Sequence, residues 1–157
     1  MNILTLNLVL STCVFWIAAR RYVLPNLGRW NAHTLLLPIL LLHSLRHLGM
    51  MFLAPGAIYP GLPPQFAVPA AYGDLLAAVL AMSAIFAGFP RWLVWAFNIV
   101  GSIDLIAAIT LGTLYGAANF MGPAYWIPAF WVPALLVTHY VVFVVLTLPW
   151  LAQQSRR

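Results

Sequence analysis

Residues His33–Ala54 form an apolar run that carries His43, Arg46 and His47 in its interior. The run has the length of a bilayer-crossing helix, for which about 20 residues suffice. An ionisable side chain at membrane depth is expensive, so it must face protein, water or a ligand rather than lipid. At positions i, i+3 and i+4 of an α-helix the three share one face. The remaining segments therefore have to supply partners for that face.

Composition fixes the solvent of the rest. The chain has 157 residues, of which 64% are hydrophobic and 6% charged, with a mean hydropathy of +0.98. Soluble domains carry about a quarter charged residues. We therefore expect an all-α, polytopic integral membrane protein: one transmembrane domain over residues 1–157, a bundle of five helices with spans near 2–19, 33–54, 71–89, 92–114 and 127–150. All seven basic residues are arginine and there is no lysine, so Schiff-base chemistry is excluded. The net charge of +5 resides at span ends, where orientation explains it, and implies no nucleic-acid partner. Cys13 is the sole cysteine, which excludes an intrachain disulfide or a thiolate cluster. Leu10–Cys13 has the outline of a lipoprotein cleavage site, but no basic residue precedes the apolar run, so the first segment reads as an uncleaved span.

The connections carry the topology. Arg20, Arg21 and Arg29 follow the first span, with Pro25 and Gly28 as breakers; Arg91 separates the third and fourth spans; Arg156 and Arg157 follow the fifth. With five spans these six arginines share one side, which places the N-terminus outside and the C-terminus inside. Trp30, Trp92, Trp95, Trp126 and Trp150 fall near span ends, as an aromatic belt would. On the opposite side lie two uncharged loops. One holds Pro55, Pro60, Pro63, Pro64 and Pro69 and is read as non-helical, lying on the membrane surface or over the bundle as a lid. The other, Tyr115–Trp126, is rich in glycine and aromatic residues.

At about 1.5 Å of rise per residue, Asp74 lies shallowest from the outer side, Arg46 and His47 next, and His43, Asp104 and His139 deepest of the cluster. Asn98 and Ser102 lie deeper still. Asp104 shares a face with Gly101, Ala108 and Gly112, and Asp74 with Ala70, Ala77, Ala78 and Ala81. Small residues mark helix contacts in membranes, so both aspartates are expected to point inward. Arg46 is the expected counter-ion of Asp104 or Asp74, with His47 or His43 balancing the other. Pro133, ahead of His139, is expected to kink the fifth span and free the carbonyl near Ala129.

From this pattern we expect a membrane-embedded binding protein for a small amphiphilic or lipid-like ligand, extending to transport or proton-linked conversion. Its ligand-binding residues would be His43, Arg46, His47, Asp74, Asp104 and His139, with Arg46 anchoring an anionic group and the histidines handling protons. Membrane lipids are further partners, a bacterial inner (plasma) membrane is the expected location, and a homo-oligomer or a subunit role in a membrane complex is the expected assembly. One alternative is a b-type haem cytochrome with His43 and His139 as axial ligands and Arg46 on a propionate. A second is a structural or assembly subunit, in which Arg46–Asp104 and His47–Asp74 pairs fix helix register and bind no ligand. A metal site on His43 and His47 is disfavoured by the arginine between them, so no metal is assigned. No catalytic residue is assigned either: the chain lacks glutamate, a Gly-rich phosphate loop and CxxC.

Overall fold

A computed structural model describes residues 3–148. Trp150, Arg156 and Arg157, and with them the end of the fifth expected span, lie outside the described residues. The described chain is all-helical, without a strand. Five helices are long and apolar enough to cross a membrane: α1 (Ile3–Asn26), α2 (Ala32–Leu53), α3 (Pro64–Phe86), α4 (Arg91–Leu114) and α5 (Gly122–Thr147).

The element boundaries depart from the sequence expectation at several prolines, whereas Pro90 separates α3 from α4 as expected. α1 runs through Arg20 and Arg21 as a π-helical turn, Ala19–Val23, and then a 3-10 turn, Leu24–Asn26, which places Pro25 near the start of a new turn. There its missing N–H costs no helical bond. α3 begins inside the proline-rich stretch, because Pro64 occupies its first position and Pro69 lies only five residues further in. Ahead of Pro133, α5 opens with a π-helical turn, Ile127–Trp131, before the α-helix Val132–Thr147. The wider turn relieves the crowding of a proline ring against the preceding carbonyl.

The largest departure is in α2. It is α-helical only over Ala32–Ser44 and then tightens into a 3-10 helix, Leu45–Leu53. A 3-10 helix repeats every three residues. His43, Arg46, Gly49 and Phe52 consequently form one buried stripe, whereas His47 is turned out and exposed. The i, i+3, i+4 face expected from α-geometry does not exist here.

α3 packs against the tightened half of α2 on one side and α4 on the other, and also touches the first half of α2; α5 lies against α4 and α1. None of the residues of Ile3–Ala18 is buried, so α1 sits at the edge of the bundle. On α3 the buried alanines Ala70, Ala77, Ala78 and Ala81 allow close approach of the neighbouring backbones. The apolar core falls into two clusters. Leu36, Leu40, Ala81, Phe97 and Val141 belong to one, and Phe52, Phe66, Leu105, Met121 and Leu135 to the other. His43, Arg46, Asp74, Gly101 and Asp104 lie along their helices in the interval between the two clusters, and His139 lies on α5 between Val137 and Val141 of the first.

At the Asp74 end the two uncharged loops meet. Tyr59 donates its backbone N–H to Phe120 O (2.9 Å), and Ala124 donates to Ala57 O (2.8 Å). Gly122 sits at φ +49 against the Ile58–Tyr59 backbone, where a β-carbon would lie 3.1 Å from Tyr59 N. At the other end Arg91 donates to Leu146 O at 2.8 Å. That bond ties the start of α4 to the end of α5.

Candidate functional site

Arg46 is the hub of the polar layer, and it is completely buried. Its Nε donates to Asp74 Oδ1 at 2.7 Å. Its Nη2 donates to Asp104 Oδ2. Its Nη1 donates to Gly101 O and to His139 Nε2, both at 3.2 Å. A guanidinium has five N–H groups in a fixed planar fork. Four partners from α3, α4 and α5 thus occupy nearly all of that fork. Asp74 and Asp104 are the only acidic residues of the whole chain, and both converge on this one cation.

The hydrogen-bond roles follow from chemistry. Arg46 can only donate, so His139 Nε2 accepts and the ring proton sits on Nδ1. From there it is donated to Asn98 Oδ1 at 2.7 Å, while Asn98 Nδ2 donates to the His139 backbone carbonyl at 3.3 Å. The amide of Asn98 thereby fixes both the tautomer and the orientation of His139. Thr138 Oγ1 donates to Ala134 O at 2.9 Å and so accepts from His43 Nε2, also at 2.9 Å. His43 Nδ1 is then a buried acceptor with no partner among the described residues. The rings of His43 and His139 lie 4.3 Å apart between centroids, and Phe97 stacks on His139 at 5.2 Å.

Three glycines make this density attainable. A β-carbon at Gly49 of α2 would overlap the Asp74 carboxylate, and one at Gly73 of α3 would overlap the Asp104 carboxylate. At Gly101 of α4 it would stand 2.6 Å from His139 Cε1 and 2.8 Å from Arg46 Nη1. Each helix thus opens a notch for the ionisable side chain of the next. Gly101 stands out in the sequence as a face-sharer of Asp104, three residues away. Gly49 has the same spacing from Arg46, and the 3-10 period lines the two up along one stripe.

Of the six expected site residues, five come together: His43, Arg46, Asp74, Asp104 and His139. His47 does not. Its Nδ1 bonds Ser44 O at 2.9 Å within its own turn, and the side chain faces outward. The expected His47–Asp74 pair is therefore replaced by Arg46–Asp74. A haem held by both His43 and His139 would require the macrocycle between two imidazoles that are already in contact, so this arrangement does not fit that cofactor. Among the described residues no group of three or more His, Cys, Asp or Glu side chains is placed to hold a metal ion.

The two carboxylates, unlike the arginine, reach a cavity of about 190 Å³. Their side chains keep 13% and 12% of their surface, against 0% for Arg46. The walls are mostly apolar, including Phe52, Phe66, Leu105 and Ile109, with Leu4 and Leu8 of α1 on one side and Met121 of the second loop on another; Thr5, Thr113 and Asn119 add polar groups. Gly112 and Ala108, on the same face of α4 as Asp104, leave the space.

Fold and site define an apolar five-helix bundle with a buried arginine–carboxylate centre beneath a small cavity. The chain belongs to the family described as domain of unknown function (DUF8737), whose model matches residues 3–147. No curated protein and no solved structure matches the chain.

Proposed function

We propose that the chain is a membrane-embedded binding protein for a small amphiphilic or lipid-like ligand, held in the cavity above Asp74 and Asp104. The observation that carries this reading is the joining of an apolar chamber to the only two carboxylates of the sequence. Ligand sites are concave, mostly apolar, and fixed by a few placed polar groups. Ionisable residues at membrane depth mark function more often than stability.

In this reading the five helices cross the membrane with the N-terminus outside and the C-terminus inside, in a bacterial inner (plasma) membrane. Arg20, Arg21, Arg29 and Arg91 would mark the inner face. The cavity then lies in the outer half, under the paired loops, and a ligand arrives from the outer side or laterally from lipid. Arg46 serves as the electrostatic support of the carboxylates and leaves anchoring of an anionic group unsupported, because its donors are committed to protein acceptors.

Native mass spectrometry of the detergent-purified chain tests the proposal. The wild type should carry a co-purified small amphiphile that Ala108→Trp, which fills the chamber, loses. Equal or absent small-molecule content in both folded proteins would favour the alternative of a structural subunit whose ion pairs fix helix register.

A further inference from the structure

The charge balance of the site names the class of ligand, an inference that rests on the binding proposal above. Arg46 brings one positive charge and the two aspartates bring two negative charges. His139 adds none, because its Nε2 accepts a hydrogen bond from Arg46. Neither His33 nor His47 touches the carboxylates: His33 packs on Phe89 and His47 bonds its own helix. Among the described residues both ion pairs are those of Arg46. With both carboxylates ionised, the chamber floor carries one negative charge in excess, set in low-dielectric surroundings where an uncompensated charge is costly.

The geometry points to a small organic cation, a protonated amine with a short apolar tail, as the ligand of this cavity. Its ammonium would lie against Asp74 and Asp104 and complete the neutralisation that Arg46 leaves unfinished. Phe52 and Phe66 stand at the cavity wall with ring centroids 5.2 Å apart. Aromatic faces attract ammonium groups, most strongly where water is excluded. The tail would occupy the apolar walls formed by Leu105, Ile109 and Met121. Arg46 is completely buried behind the carboxylates, so an anionic head would meet their charge before the guanidinium.

Three probes of matched length separate charge from apolar fit: hexylammonium, hexan-1-ol and hexanoate. They would be titrated calorimetrically into the full chain in nanodiscs of zwitterionic lipid, with empty nanodiscs subtracted. Hexylammonium should bind about tenfold or more tighter than hexan-1-ol, and hexanoate weaker than both. Asp104→Asn keeps an oxygen for Arg46 and removes one charge, so it should bring hexylammonium down to the hexan-1-ol level. Asp74→Asn provides the same subtraction should Asp104→Asn fail to fold. Equal binding of all three probes by the wild type would mean that a proton already neutralises the floor; the cation inference would fall while the binding proposal stood. Tighter binding of hexanoate would overturn the inference in the same way. Binding of none of them would overturn both.

Discussion

Two hollows among the described residues are of opposite character. A groove of about 610 Å³ runs between α1, α2 and α5, walled by Phe15, Trp30, Ile39, Phe130 and Val141. Apart from the Tyr22 phenol it has no ionisable lining. Its Thr138 hydroxyl is already bonded to Ala134 O and His43. The chamber over Asp74 and Asp104 is far smaller, about 190 Å³, yet its floor is charged and rigidly placed. The groove offers apolar area with nothing to orient a guest, as any acyl chain would accept. The chamber offers little area but a directional anchor. Apolar volume and a charged anchor are thus separated in space.

Removing the chamber's floor should have the largest effect. Arg46→Met leaves two buried carboxylates without their cation and should cost about 3–5 kcal/mol, read as loss of the folded protein in detergent unfolding. Arg46→Lys should recover only part, because an ammonium cannot reproduce the planar fork that reaches Asp74, Asp104, Gly101 and His139 together. If both variants unfold like wild type, the polar layer is not the structural hub.

Blocking one hollow at a time sharpens the contrast next. Ala108→Trp should abolish hexylammonium binding, whereas Ala18→Trp, in the groove, should leave it unchanged. The reverse result would move the site to the groove. A smaller effect belongs to the notches: Gly101→Ala should cost about 1–3 kcal/mol of thermal stability through overpacking against His139 and Arg46. Gly28→Ala, with nothing within 4 Å of its β-carbon, provides the control. The smallest effect is expected at the exposed His47, where replacement by Ala should change stability by no more than about 0.5 kcal/mol. A large loss there would restore the α-helical face of His43, Arg46 and His47.

Much of the fold is legible in the sequence because it depends on composition and length. Five apolar segments, the arginines between them and the uncharged loops are visible without coordinates. The inward faces of Asp74 and Asp104 follow from the small residues around them: Ala70, Ala77, Ala78 and Ala81 are buried beside Asp74, whereas beside Asp104 only Gly101 is buried and Ala108 and Gly112 line the cavity. The Arg46 centre is less legible. Its partners depend on a helix that tightens after Ser44, and no residue in LRHLGMMFL announces a 3-10 period. A proline signals only that a regular turn cannot continue, so the π-helical turns at Ala19–Val23 and Ile127–Trp131 are chosen by packing. The roles of Asn98 and Thr138 were hidden for a similar reason. Each bonds a histidine on another helix, and nothing in spacing along one segment reports such a contact.

Photolabelling with a hexylammonium probe bearing a terminal diazirine, on the full chain in lipid nanodiscs, tests the central claim most directly. Labelled positions would be mapped by peptide mass spectrometry. The account predicts labels confined to the chamber walls, at Leu105–Thr113 and Ala118–Met121, and competed away by unlabelled hexylammonium. Labels concentrated in the groove at Phe130–Val141, or spread over the outward faces of α1, would contradict it.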